Sequence, residues 1–262
     1  MISETYWRGK SVIVSGGSSG IGRAIAVAAG RAGARIGLIA RKSGPLEDTA
    51  AMIRDAGAMV ATAVCDVTDM ARVTESTAVF ERSLGPTDVA IASAGIHREA
   101  WPLDAVTARE VIDVNVNGTI NLLAAVLPGL LARGQGAICG IASIAAVVGL
   151  PGNAAYCASK AAVVAFLDSI RLDCVPAGVR VTTAFPGFVD TPMITDDERA
   201  QGGVLKADDA ADRILRAIER GRAEVWFPWG TATSAWLARG LPPTIRDALL
   251  RGQPRMKDAH KQ

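Results

Sequence analysis

From Ser11 onward the chain alternates short, uninterrupted apolar runs with longer segments of helical periodicity, parted by small or turn residues. The runs fall at 11–15, 35–40, 59–65, 89–93, 137–141 and 179–184, with a further one at 224–227. Most lack polar alternation, which predicts strands covered on both faces in a parallel sheet. Helical segments are expected to start near Gly20, Pro45, Asp69, Val106, Asn153 and Asp208, with Pro45 where a first-turn proline is tolerated. No linker, repeat or low-complexity stretch interrupts the pattern. It predicts an α/β fold, a single-domain Rossmann-type doubly wound parallel sheet of about seven strands with helices on both faces, over residues 1–228. Residues 229–262 depart from it, carrying Trp229, Trp236, Pro242 and Pro243 among basic residues. They are expected to form a C-terminal helical appendix packed on the same domain or on a partner subunit.

Composition adds limits. The chain has 262 residues, 50% hydrophobic and 21% charged, which suits one large globular domain and not disorder. A formal charge of +2, with no basic run in the first two hundred residues, speaks against nucleic acid as a partner. Cys65, Cys139, Cys157 and Cys174 lack C-x-x-C spacing and read as reduced intracellular thiols. With His97 and His260 isolated, no metal site is expected. Residues 1–10 hold no apolar leader and the uncharged stretch 119–132 is short and contains Pro128, so neither a signal peptide nor a membrane span is expected, and the cytoplasm is the expected compartment. The appendix carries a net +4 from Arg239 onward, near Trp226, Phe227, Trp229, Trp236 and Leu237. That could meet an anionic membrane surface or cap a substrate channel, but packing is the favoured reading.

The first strand runs into Ser15-Gly16-Gly17-Ser18-Ser19-Gly20-Ile21-Gly22 and then an apolar helix. Strand, glycine turn and helix start gather backbone N–H groups and a positive dipole end at one point, which suits a pyrophosphate. The full G-x-G-x-x-G fingerprint is not met, because Ile25 stands where its last glycine would, and a plain tight turn is the alternative. At the end of the second strand an acid would accept from a ribose 2′-OH, whereas an arginine would pair with a 2′-phosphate. The chain has Arg41-Lys42 there with no competing acid, so NADP(H) is preferred over NAD(H).

Ser143 closes the apolar run 137–142, at the carboxyl end of a central strand, where open α/β sheets place ligands. Tyr156 and Lys160 are four apart and share one helix face. An ammonium beside a phenol stabilises the phenolate and makes the tyrosine a proton donor to a carbonyl or an acceptor from an alcohol.

Together, the Gly16/Gly20/Gly22 spacing, Ser143 and Tyr156-x-x-x-Lys160 resemble the short-chain dehydrogenase/reductase family, along whose pattern residues 10–193 can be laid without an obvious gap. The resemblance implies Tyr156 as general acid/base, Ser143 as donor to the substrate oxygen, Lys160 on the nicotinamide ribose and Asn115 positioning a relay water. It implies cofactor contacts from Ser15, Gly16, Ser18, Ser19, Gly20, Ile21, Gly22, Arg41 and Lys42. Further along it implies Asp66 and Val67 at the adenine, Ser93, Ala94 and Gly95 after the fourth strand, and Tyr156 and Lys160. Pro186, Gly187, Val189, Thr191 and Met193 would lie beside the carboxamide. A homodimer or homotetramer is also implied, compatible with apolar runs at 120–131 and 161–167. The chain departs from the family at Ser93, commonly asparagine, and at 224–228, where acyl-carrier-protein ketoreductases have Gly-Gly; this argues against fatty-acid synthesis.

Specificity in such a protein lies in the loops after Gly95, after Ser143 and beyond Met193. They carry His97 and Trp101, then 145–150, then 195–204, and are mostly apolar. His97 is either a solvated loop histidine or a substrate contact. The leading expectation is an NADP(H)-dependent oxidoreductase interconverting a carbonyl and a secondary alcohol on a small, hydrophobic or amphipathic substrate. The alternatives are an NAD(H)-linked alcohol or steroid-type dehydrogenase, and a non-catalytic nucleotide-sensing or scaffold protein on the same fold.

Overall fold

All seven apolar runs form strands of one parallel sheet in the computed structural model. They are β1 (Ser11–Ser15), β2 (Arg35–Ala40), β3 (Val60–Val64), β4 (Val89–Ala92), β5 (Gly136–Ile141) and β6 (Val179–Pro186). A two-residue pair the pattern does not predict, β7 (Val189–Asp190) and β8 (Leu205–Lys206), precedes β9 (Glu224–Phe227). The structure describes residues 2–195, 199, 203–228, 237, 240–242, 244–245 and 247–248. The expected appendix at 229–262, with Trp229, Trp236, Pro243, His260 and most of its basic residues, therefore lies almost wholly outside the described residues.

The sheet order is β3-β2-β1-β4-β5-β6-β9. The chain steps outward from β1 in one direction and then from β4 in the other, which leaves a crevice at their carboxyl ends. Val12, Val14, Ile36, Leu38 and Ile91 are buried on one face, with Ile25, Ile53, Ile214 and Ile218 from α2 (Gly20–Arg31), α3 (Ser43–Asp55) and α8 (Ala207–Glu219). The other face buries Phe80, Leu122, Val126, Leu130, Val163 and Leu167 from α4 (Met70–Leu84), α6 (Gly118–Arg133) and α7 (Ala154–Cys174). Two-sided burial fails at β3, where Val64 is 46% exposed. That strand is one of the sheet's two edges, β9 being the other, and its apolar run marks β propensity more than coverage.

The expected helix near Val106 is α5 (Ala105–Ile112), whose first-turn amides at Val106 and Thr107 donate to the Asp104 carboxylate. It continues through a π-helical turn, Asp113–Asn117, into α6. The continuous run Ala105–Arg133, 29 residues with hydropathy 1.5, is long and apolar enough by length and composition to cross a membrane. Its apolar side is a core side: Leu122, Leu123, Val126 and Leu130 are buried among residues of the sheet and α4. All four cysteines are free and buried, and burial pushes the Cys139 thiol up to about 12.

Candidate active site

At the end of β1 the chain turns through Gly16 (φ +70) and Gly20 (φ +53), left-handed conformations that favour glycine. A Cβ on Gly16 would lie 2.7 Å from the Ala94 nitrogen, and one on Gly22 only 2.4 Å from the Gly16 oxygen. These glycines thus let the turn pack on the end of β4 and on itself. Ser19 caps α2 in an extended conformation without a side-chain hydrogen bond, so the first amides of the helix have no side-chain acceptor and line the crevice. Arg23, which sequence reasoning passed over, donates to the Ser18 carbonyl from Nη2 at 2.5 Å and from Nε at 3.1 Å, and to Thr49 Oγ1 at 3.1 Å. An arginine one turn into a helix after a glycine loop can reach back to that loop, which is the signal that could have found it.

Past the turn, Arg41, Lys42, Cys65 and Val67, from the ends of the neighbouring strands β2 and β3, line the cleft. The expectation that no acid competes with Arg41 is corrected here. Ala40 and Val64 are paired in register, so the strand ends bring Arg41 Nη1 to 3.7 Å from Asp66 Oδ2. The opposite carboxylate oxygen accepts from the amide and hydroxyl of Thr68, both at 2.9 Å. An ion pair this open to solvent contributes little, about 0–1 kcal/mol.

At the other end, Ser143 follows β5 and is buried; its Oγ accepts from the Ala145 amide at 3.1 Å and lies 3.5 Å from the Pro186 carbonyl. Tyr156 and Lys160 stand one turn apart on α7, with Lys160 Nζ 5.8 Å from the centre of the Tyr156 ring. Lys160 is only 5% exposed, and its ammonium donates to the Ile141 carbonyl at 2.8 Å. Loss of hydration lowers its pKa from 10.5 to about 8. Asn115 occupies the π-helical turn and is buried. Its Oδ1 accepts from the Ile96 amide at 2.7 Å, while Nδ2 donates to the Ile96 carbonyl at 3.0 Å and to Ser159 Oγ at 2.9 Å. Ser159 in turn donates to the Tyr156 carbonyl at 2.7 Å. This side chain therefore ties the loop after β4 to the helix that carries Tyr156.

One cleft of about 670 Å³ joins the two ends. Gly16, Ser18, Ser19, Gly20, Ile21, Gly22, Arg41, Lys42 and Val67 line it, as do Ser93, Ala94, Gly95, Ser143, Tyr156, Lys160, Pro186, Gly187, Val189, Thr191 and Met193. Ser15, Asp66 and Asn115 do not; Ser15 Oγ accepts from the Ala94 amide at 3.3 Å, behind the lining. Arg199 pairs with Asp190 and donates to the Thr191 carbonyl at 2.9 Å, holding the segment that carries Thr191 and Met193. The expected substrate loops divide. Trp101 is 68% exposed and outside the cleft, and Val147, Val148 and Gly149 line a separate cavity of about 530 Å³ against α7. His97, Glu99, Leu150, Pro151 and Asn153 line the cleft beside Tyr156. His97 is half-buried and hydrogen-bonded to Asn153, so the solvated reading does not hold.

The donor set fits a dinucleotide: uncapped helix amides at the turn, a guanidinium and an ammonium at one end, and buried Lys160 at the other. The short chain dehydrogenase family model matches residues 10–202. An uncharacterised oxidoreductase of Myxococcus xanthus is 34% identical over 92% of this chain and 96% of its own length. The 2-(S)-hydroxypropyl-CoM dehydrogenase 3 of Xanthobacter autotrophicus is 37% identical over 68% of this chain and 71% of its own. Among solved structures, a short chain dehydrogenase from Mycobacterium paratuberculosis bound to NAD superposes with a TM-score of 0.80 at 25% identity, covering 86% of this chain and 98% of that one. The match across most of the chain, on a sheet whose crevice collects the glycine turn, Ser143, Tyr156 and Lys160, means that this protein belongs to the short chain dehydrogenase family and is an NAD(P)-dependent oxidoreductase.

Proposed function

We propose that the protein interconverts a carbonyl and a secondary alcohol on a hydrophobic or amphipathic small molecule, with NADP(H) preferred over NAD(H). The observation that carries this reading is the convergence of Ser143, Tyr156 and Lys160 at one end of a cleft whose other end holds Arg41 and Lys42. In this reading Tyr156 gives a proton to the carbonyl oxygen in reduction and takes one from the hydroxyl in oxidation. Ser143 Oγ donates to the same oxygen, and Lys160, with two donors beyond its bond to Ile141, holds the ribose beside Tyr156. A bound nicotinamide supplies or accepts the hydride at the reacting carbon. Asn115, through Ile96 and Ser159, keeps the Gly95 loop and the Tyr156 helix in register, as its hydrogen bonds support. Ser15 and Asp66 act from behind the lining.

Ile96, Ile144, Leu150, Phe188 and Ile194 in the lining favour an apolar substrate body. The same reading takes residues 1–228 as the catalytic domain, 229–262 as a packed appendix, the assembly as a homodimer or homotetramer, and the compartment as the cytoplasm. An NAD(H)-linked dehydrogenase is favoured by one observation, the Asp66 carboxylate beside Arg41.

Titration with NADPH and NADH, followed by nicotinamide fluorescence, tests the cofactor. At least tenfold tighter NADPH binding, about 1.4 kcal/mol, is expected, and Arg41→Asp should reverse it. Equal or reversed preference in the unaltered protein moves the NAD(H)-linked reading to first place. Tyr156→Phe should abolish ketone reduction while keeping NADPH affinity; retained turnover overturns the assignment of the acid.

A further inference from the structure

The substrate end of the cleft is not uniformly apolar. Beside Tyr156 three polar side chains are joined in a row: His97 Nε2 contacts Asn153 Oδ1, and Asn153 Nδ2 donates to Glu99 Oε1 at 3.2 Å. The same Nδ2 donates to the Pro151 carbonyl at 3.1 Å. The Ala100 amide donates to the Gly152 carbonyl at 3.1 Å, so the loop after β4 is stapled to the start of α7. Asn153 is 8% exposed and the His97 ring centre lies 4.7 Å from that of Tyr156.

This row fixes the imidazole chemistry. Two acceptors, the Glu99 carboxylate and the Pro151 carbonyl, face one end of the Asn153 amide, and that end must be the NH₂. The amide oxygen therefore faces His97, whose Nε2 must carry the proton. In the neutral ring Nδ1 is then an acceptor. Among the described residues Nδ1 has no hydrogen-bond partner, and His97 lines the cleft. Ser143 and Tyr156 provide hydroxyls for the reacting oxygen; His97, whose ring centre lies 4.7 Å from that of Tyr156 in the same cleft, provides a lone pair.

Resting on the oxidoreductase reading above, we propose that His97 is a specificity-determining residue whose Nδ1 accepts a hydrogen bond from a hydroxyl on the carbon next to the reacting carbonyl, so that the substrate class is the α-hydroxy ketones and the corresponding vicinal diols. The apolar lining takes the rest of the molecule, and the row of Asn153 and Glu99 holds the imidazole in the accepting tautomer. A site built to accept a hydroxyl discriminates against an analogue lacking it, because the bound substrate shuts water away from the acceptor and leaves it unpaired.

The test compares 2-hydroxyacetophenone, 2-methoxyacetophenone and acetophenone as substrates with NADPH. The methoxy ketone keeps an electron-withdrawing oxygen and lacks the donor, so it separates hydrogen bonding from carbonyl activation. The expected result is kcat/KM at least tenfold higher for the hydroxy ketone than for the methoxy ketone, with that ratio falling towards one in His97→Phe. Equal kcat/KM for the two in the unaltered enzyme overturns the proposal, as does a ratio that survives His97→Phe. The comparison in the unaltered enzyme needs no variant, so a His97→Phe chain that fails to fold still leaves the proposal decided. If all three ketones are inert while fluorescence reports NADPH binding, the subsite is overturned and the oxidoreductase reading stands. Binding of neither NADPH nor NADH overturns that underlying reading instead.

Discussion

Lys160→Met should make the protein more stable at neutral pH while destroying its activity. Lys160 is almost wholly buried and its pKa is lowered by loss of hydration to about 8, against an ordinary 10.5. Between those two values the unfolded chain holds a proton that the folded chain has released, so stability rises with pH across that window. Below pH 8 the folded state bears the dehydration of the ammonium in full, a penalty on the order of 3 kcal/mol. Methionine has nearly the same shape and no charge. Its cost is the lost donor to the Ile141 carbonyl, on the order of 1 kcal/mol. The net expectation is a variant about 2 kcal/mol more stable at pH 7. That advantage shrinks above pH 8 and turns into a deficit of about 1 kcal/mol once the pH exceeds 10.5. Urea denaturation of both proteins at pH 7, 9 and 10.5 measures this directly, and taking the difference cancels the other titrating groups. A variant less stable than its parent at pH 7, or a gap that does not change with pH, would refute the reasoning.

Other perturbations rest on the same geometry. Gly22→Ala forces a Cβ against the Gly16 oxygen, so thermal unfolding should show a loss on the order of 1–3 kcal/mol, with weakened NADPH binding in a fluorescence titration. Asn115→Ala strips the Ile96 amide and carbonyl of their partners, and each orphaned group should cost about 1–3 kcal/mol in denaturant unfolding. Asp66→Asn removes the carboxylate facing Arg41; because that pair is solvent-exposed, NADPH affinity should rise by no more than about fivefold, with a smaller change for NADH, read by parallel titrations.

The sheet is legible in the sequence because its central strands are buried on both faces and therefore carry unbroken apolar runs: β1 and β2 have the expected limits. The edge strand β3 is shorter than its apolar run, since an apolar side chain such as Val64 can remain exposed there. The pair β7 and β8 is too short to leave any periodicity. In the site, residues adjacent in sequence or one helical turn apart are readable: the glycine turn, Tyr156 and Lys160. Partnerships made by folding are not. Arg41 meets Asp66 only because β2 and β3 pair in register, and His97 gains its place from Asn153, a residue far along the chain. The expected functions of Ser15 as a cofactor contact and of Asn115 in positioning a relay water come from motif position, whereas the hydrogen bonds of both side chains run behind the cleft wall.

The π-helical turn at Asp113–Asn117 sets a phase relation between site and core. Such a turn contains one residue more than an α-turn, and each residue rotates the remainder of the helix by about 100°. Deleting a single residue there would restore regular α-helix and swing Leu122, Leu123, Val126 and Leu130 away from the sheet, although composition and helix propensity would hardly change. Apart from Asn115, the segment therefore tolerates substitution far better than a change in length, and the spacing from Asn115 to Leu122 is as much a part of the fold as either residue's identity.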